Sequence, residues 1–389
     1  MKKLVSAVTL LLLAGSIQSQ EMGSNDYLIN NRVDLRHDNI YCDQKIVGFT
    51  AIHGSKKSEE AEIALIKAQL EQVDTLIYMP EVDVAMGYYF NIYLGDGDEA
   101  LLKDIILTYE KYVSQEASVE MFEKWKALRE LSQGKRVVVY GLDYVRSYKY
   151  FVKLLLEIGS YDDKLLDFWN DKQTDYSVKS ETPLKQYLRA MISDPQNKDV
   201  NHPTIAYLYE NIADSFAEKS PYRDSIMYRN YTVTVKKNFG SAKQLVRMGF
   251  GHMTKARFVK LRPSFIAQLI EGGICKPTEV YIAMAQLYGS SVLLERRYDE
   301  NGVYYGYDET NNPFYTGEGL FPGLDVMVAN KLSDMTLFDF SKESSPFREV
   351  KGQIYPGFEL LPGTTLADYF DGMILIESSE ANEPIEAIL

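Results

Sequence analysis

Four short apolar runs recur along this chain, and each gives way at once to a polar residue. They are KIVGFTAIHG (Lys45–Gly54), TLIYMPEVD (Thr75–Asp83), KRVVVYGLD (Lys135–Asp143) and KQLVRMGFGHM (Lys243–Met253). A short, continuously apolar run bounded by turn residues is the pattern of a strand covered on both faces, as in a parallel sheet. The stretch after the first run, Ser55–Val73, repeats Ala61, Ala64, Leu65, Ala68 and Leu70 at helical spacing. It carries glutamates at its start, where the helix dipole is positive. Glu99–Leu131 is helical in character too. Alternation of this kind predicts an α/β fold: a mainly parallel sheet flanked by helices. For the opening strand–helix–strand unit, the crossover rule predicts that its two strands pair in parallel.

From about Tyr144 to Gly240 no good strand is found. The region is rich in Tyr, Lys and Asp with helical periodicity, as in YVRSYKYFVKLLLEIG, and reads as a large helical insertion or cap over the sheet. Strand character returns in TEVYIAMAQLYGS, and late strands are expected in GLDVMVANK and YFDGMILIES. RRYDENGVYYGYDETNNP reads as a hairpin or a tyrosine-rich loop.

The first residues, MKKLVSAVTLLLLAGSIQSQ, stand apart from this pattern. Two lysines precede an apolar run from Leu4 to Ala14 and then small polar residues, the layout of a secretory signal peptide cut after Ser16 or Ser19. The expected product is an exported chain, periplasmic or secreted, from residue 20 to 389 with no membrane-spanning segment. The formal net charge is −13, which argues against nucleic acid or an anionic membrane surface as partner. Cys42 and Cys275 suffice for one bridge in an oxidising compartment but not for a disulfide scaffold. Without a CxxC pair, zinc held by cysteine is excluded.

If the runs are parallel strands, His53, Glu81, Asp143 and His252 all lie at carboxyl ends, where ligands bind in open α/β sheets. His53 is then either a general base tuned by a carboxylate or a histidine bonded to its own turn. Glu81 either orients a histidine, binds a cation or caps the next helix, and Asp143, Asp83 and Asp162 carry the same alternatives. In SPYRDSIMYRN, Arg223, Met227 and Asn230 recur at helical spacing, so Arg223 and Asn230 are candidates to bind an anionic or carbonyl oxygen. The plain alternative is a helix start with Ser220 as cap and Pro221 at its first position. His37 and His202 are assigned no role. Ser55 lacks a nucleophile elbow, and HExxH, P-loop and GxGxxG motifs are absent from the sequence. YLGDGDEALL fails the spacing of a calcium loop and reads as solvated loop.

Several stretches taken in order resemble the erythromycin esterase family, within a wider superfamily that includes the haem-binding ChaN lipoproteins and the Tiki/TraB-type proteases. VGFTAIHGSKK is similar to that family's first motif, a strand running into Gly-Glu-x-x-His-Gly-(Ser/Thr). IYMPEVDVAMGYYFNIYLGDGD is similar to the following strand and acidic helix, RVVVYGLD to a strand ending Gly-x-Asp, YRDSIMYRN to an Arg-Asp-x-x-Met-x-x-Asn helix, and YFDGMILIESSEA to the closing strand. The resemblance spans roughly Lys45 to Ala381. It implies an esterase-like fold in which His53 is the base for water and Glu81 and His252 orient or assist it. The motif's glutamate falls on Thr50 and its glycine on Phe49, so the first motif supplies His53 with no carboxylate. The first histidine of the family's His-Asn-x-His falls on Gly249, leaving GFGH, a form closer to the Gly-x-x-His of the metal-dependent Tiki/TraB branch.

Three functional expectations follow. The first is an exported hydrolase that uses a His53-activated water on an ester, lactone or amide of a small molecule, with Asp143, Arg223 and Asn230 at the substrate. The second is a binding protein on the same scaffold, holding a ligand or haem among some of its 29 tyrosines. The third, a metalloprotease with His53, Glu81 and His252 as ligands, lacks a diagnostic spacing, and neither a divalent metal nor haem is supported by spacing.

Overall fold

The computed structural model describes residues 25–38, 42–158, 163–194, 203–217, 222–311, 321, 323–355 and 357–388. The expected signal peptide, Asp162, His202, Ser220 and Pro221 lie outside the described residues. The strands are β1 (Arg32–Asp34), β2 (Ile46–Ala51), β3 (Thr75–Pro80), β4 (Arg136–Val139), β5 (Lys243–Gly249), β6 (Val280–Tyr288), β7 (Val292–Tyr298), β8 (Tyr304–Thr310), β9 (Met335–Asp339), β10 (Gln353–Tyr355), β11 (Phe358–Glu359) and β12 (Gly372–Glu377). Eight of them form one sheet in the order β1-β9-β12-β6-β2-β5-β3-β4. From β12 to β4 every neighbouring pair is parallel, and β9 alone runs against its neighbours β1 and β12.

The helices used below are α1 (Asn25–Asn30), α2 (Lys56–Gln72), α3 (Val84–Asp96), α4 (Glu99–Tyr109), α5 (Val119–Leu131), α6 (Lys149–Glu157), α7 (Asp163–Asn170), α8 (Pro183–Ser193), α9 (Pro203–Asp214) and α10 (Arg223–Tyr231). Strand residues feed two cores by simple alternation. Val47, Phe49, Leu76, Tyr78 and Leu245 pack against α2 to α6. Ile46, Ile77, Met79, Val246 and Met248 face the opposite layer with Phe265 and Phe370. Trp125 on α5 is fully buried and stacks on Phe90 of α3 at 3.6 Å between ring centroids. An aromatic contact of this kind adds about 0.5–1.5 kcal/mol beyond its buried area.

The α/β architecture read from the sequence is therefore the one present, with two corrections. First, β2 and β3 are parallel but not paired, because β5, distant in sequence, lies between them. Second, GLDVMVANK is not a strand: Leu324–Ala329 is a short helix, and the strand of this region is MTLFD in β9. An apolar run of that length fits either period, and Gly323 at φ +81° starts the helix. Cys42 and Cys275, whose pairing the sequence leaves open, are both buried free thiols, each pushed up to about 11 by burial. The expected hairpin is β7–β8, and between residues 144 and 240 the described chain is helical. Asp96, Gly97 and Asp98 turn α3 into α4, with Gly97 left-handed and Asp98 capping α4. The stretch Tyr93–Leu102, expected to be a solvated loop, is instead helical apart from Gly97 and Asp98.

Candidate active site

The strand order β2-β5-β3-β4 makes neighbours of the four carboxyl ends that carry His53, His252, Glu81 and Asp143. β2 stops in a turn at Gly54, whose φ is +82° and whose Cβ, if present, would lie 2.9 Å from the Leu293 carbonyl. Only glycine suits both conditions. The Gly54 carbonyl accepts from Leu293 and Asn382 N–H groups, which pins the turn and aims His53 outward. His53 Nδ1 makes a short hydrogen bond to Glu116, and Nε2 lies 3.7 Å from Glu81 Oε2. About a quarter of the imidazole (26%) remains exposed.

Glu116 sits on a 3₁₀ turn, Ser114–Glu116, between α4 and α5. The Arg296 guanidinium, reaching over from β7, donates to the carbonyls of Ser114 and Ala117 and holds that turn. Beneath the dyad is a buried ionic layer. Arg247, fully buried in β5, reaches Glu116 at 2.5 Å, Glu59 at 2.8 Å and Glu62 at 3.1 Å. Lys124 meets Glu59 at 2.6 Å and Glu62 at 2.8 Å. Three carboxylates against two cations leave one negative charge, and a proton on His53 neutralises it. The His53 pKa accordingly departs upward: burial lowers it, and Glu116 with Glu81 behind it more than reverses this. Burial resists ionisation of Glu116, yet Arg247 and His53 hold its carboxyl well below the usual carboxylate range.

The second half of the rim centres on Arg223 at the start of α10. Its Nε donates to Asp143 at 2.8 Å, and Nη2 is shared by Glu81 at 2.5 Å and Asp143. Glu81 also accepts the Gly249 N–H at 2.7 Å. Burial alone would raise the Glu81 pKa, but Arg223, His53 and His252 bring it down to about 2. Asp143 is placed by Gly141, where a Cβ would collide with the Asp83 carbonyl at 1.7 Å. This close passage brings Asp143 into a parallel bridge with Asp83. The cap of α3 is Asp83, not Glu81; its carboxyl accepts hydrogen bonds from the Met86 N–H and the Tyr112 hydroxyl. Burial and the neighbouring Asp143 push Asp83 up to about 8.

His252 Nε2 faces Arg223 Nη1 at 3.0 Å, and a guanidinium only donates, so Nε2 accepts. Nδ1 then carries the proton and donates to Asp224, 2.8 Å away. Both ring nitrogens of His252 are thus engaged, and the imidazole with a nitrogen left over is His53. Asn230 departs from expectation. It is fully buried and donates to the Leu142 carbonyl and to Asn211, so it props the loop before Asp143 instead of facing a substrate.

Thr50, at the position of the family motif's carboxylate, donates nothing to His53; its hydroxyl accepts the Ala285 N–H across the sheet. Glu116 supplies the carboxylate instead. Gly249 leaves open the space in front of His53: a Cβ there would lie 3.3 Å from Nε2. A divalent cation set among His53, Glu81 and His252 would have to displace Arg223, so the donor set does not fit one. Among the described residues no group of His, Cys, Asp or Glu is spaced to hold a metal ion. Ser55 is buried against Ser379 and is no nucleophile. Sequence reasoning passed over Glu116 and Arg247, and it named Asp224 beside Arg223 without giving it a role. Arg247 left a signal, since a charge inside an apolar strand must be paired where it is buried.

A cleft of about 1040 Å³ opens beside the rim between α4 and the helical region, with Tyr144, Arg146, Tyr176 and Ile226 among its walls. Tyr144 joins it to the site, since Arg223 lies 5.7 Å from the centroid of its ring.

No family model and no curated protein matches the chain. Solved structures do. An erythromycin esterase, EreC, mutated at a histidine and in its open conformation, aligns with TM-score 0.55 over 88% of this chain and 92% of its own, at 17% identity. The chain carries the erythromycin esterase fold. A protein from Bacillus cereus aligns with TM-score 0.60 over 94% and 99% at 15% identity. A succinoglycan biosynthesis protein aligns with TM-score 0.58 over 94% and 98%, also at 15%. The resemblance drawn from motif order thus holds for the erythromycin esterase fold, and the chain is a divergent example of it. Identities this low speak for the fold and leave activity to the geometry.

Proposed function

We propose that this chain is a hydrolase in which His53, oriented by Glu116, activates a water molecule against the carbonyl of an ester, lactone or amide. One observation carries the reading: Glu116 fixes the proton on Nδ1, leaving Nε2 turned toward Glu81 Oε2 with the face of Gly249 open beside them. The water bridges Nε2 and the Glu81 carboxylate from the open side at Gly249. Its proton passes to Nε2 as the oxygen attacks, and the imidazolium is stabilised by Glu116. Arg223, held by Glu81 and Asp143, faces the charge that develops on the carbonyl oxygen. His252 and Asp224 fix the far edge of the Arg223 guanidinium and are positioning residues. The partner is a small molecule, and the fold shared with an erythromycin esterase supports this reaction class without naming the substrate. Export, with cleavage near Ser16 or Ser19, is proposed on the amino-terminal sequence, and amino-terminal sequencing of the mature protein tests it.

A ligand-binding protein on this fold is the second reading. It is favoured by the raised His53 pKa, which keeps the imidazole protonated to higher pH and so withholds the base. Hydrolysis of a panel of aryl esters and lactones, with and without Mn²⁺ or Zn²⁺, separates the two. Turnover lost in His53→Ala supports the hydrolase. Absence of turnover at every pH up to 9, with a ligand still bound, supports the second reading.

A further inference from the structure

We propose that the cleft beside the site takes substrates carrying a carboxylate, which is read by Arg146; the proposal rests on the hydrolase reading above. Arg146 lines the cleft and is half-buried. Two tyrosines flank its guanidinium, Tyr144 at 5.0 Å and Tyr112 at 5.8 Å from Cζ to the ring centroids. Nη1 donates to the Tyr112 carbonyl. Nε is buried with no acceptor, and Nη2 donates to no group among the described residues. Nε is closed to solvent, so Nη2 is the corner of the guanidinium left to a ligand, and a carboxylate oxygen there gains a charge-assisted hydrogen bond.

Of the other charges of the cleft, Lys149 pairs with Asp104, Asp214 with Arg229 at 2.7 Å and Lys111 with Glu110 at 3.9 Å, while Asp175 and Lys179 make no ion pair among the described residues. Among the described residues Arg146 has no carboxylate within ion-pair distance. A chain with 55 acidic residues has left this cation without one. A partly desolvated guanidinium without a counterion is unfavourable, and a ligand anion removes the penalty. The position suits a substrate. Tyr144 touches both Arg146 and Arg223, at 5.0 and 5.7 Å from its centroid, so an anion on Arg146 has its other end directed toward the rim.

The test uses two esters with five-carbon acyl chains, mono(4-nitrophenyl) glutarate and 4-nitrophenyl pentanoate, on the mature protein. We expect kcat/KM to favour the glutarate ester by about tenfold or more, the size of a charge-assisted hydrogen bond. In Arg146→Gln the ratio falls to one or below. In Arg146→Lys, which keeps the charge but not the fork and guards against a misfolded glutamine variant, it takes an intermediate value. Equal ratios in wild type and both variants overturn the carboxylate subsite while leaving the hydrolase standing. If neither ester turns over, titration with glutarate itself decides. A rise in Tm that Arg146→Gln abolishes upholds the subsite as the hydrolase reading falls, and no rise in wild type overturns the subsite as well.

Discussion

Gly249 offers a way to test the chemistry without touching a charge. It leaves β5 at φ −60°, ψ 153°, a conformation open to alanine. Its N–H bond to Glu81 survives the substitution Gly249→Ala, because only a methyl group is added. That methyl carbon would stand 3.3 Å from His53 Nε2 and 3.6 Å from Glu81 Oε2. These are the two atoms that hold the attacking water in the proposed reaction, so the methyl takes the place of the water. Turnover should fall roughly 10²–10⁴-fold, as when a general base is lost. In barrier height this is about 3–5 kcal/mol. The imidazole tip must give by a few tenths of an ångström, a repacking that costs about 1–3 kcal/mol of stability. Ester turnover and thermal unfolding, measured on one preparation, separate the two effects. A folded Gly249→Ala protein with Tm within a few degrees of wild type and undiminished turnover would refute this placement of the water.

Further outcomes follow from the same network. Glu116→Gln should lower the His53 titration followed by NMR, because the largest charge that raises it is gone; the alkaline rise of activity should move to lower pH with it, and an unmoved titration would place the cause elsewhere. Arg247→Met strips the buried carboxylates Glu59, Glu62 and Glu116 of their shared cation, and urea unfolding should show a loss of about 3–5 kcal/mol. Stability should peak on the acid side of neutrality. Glu81, depressed from 4.5 to about 2, contributes roughly 3 kcal/mol that is present above its ordinary pKa and lost as pH falls toward 2. Asp83, raised to about 8, and His53, also raised, favour the folded state below their ordinary values and lose that contribution as pH rises through their folded ones. Urea midpoints at pH 3, 5 and 8.5 test both limbs, and Asp83→Asn should flatten the alkaline one. Cys42 and Cys275 should react with a thiol reagent only after unfolding without reductant, and no reaction even then would reveal a bridge.

What could be read from the sequence was what depends on one short stretch at a time. The runs around Val47, Ile77, Val138 and Val246 betray strands because burial on both faces leaves no room for polar alternation, and the residue after each run is then a rim residue by construction. GLDVMVANK defeated the same reasoning, since five apolar residues satisfy a helix as readily as a strand and only Gly323 at its start decides. Strand order was beyond reach. Nothing in the opening unit announces that Lys243–Gly249 will insert between β2 and β3, yet this insertion sets Gly249 beside His53 and Arg247 beneath it. Glu116 was invisible for a related reason. In YVSQEASVE it looks like any solvated glutamate, and it becomes the partner of His53 only because Arg296 from β7 holds its turn and Arg247 from β5 holds its carboxylate. A hydrogen bond constrains where a carboxylate oxygen lies, not which element delivers it. Threonine at residue 50 therefore does not disarm the imidazole: the strand has released its carboxylate position to a sheet contact with Ala285, and a loop some sixty residues on has taken up the contact with Nδ1.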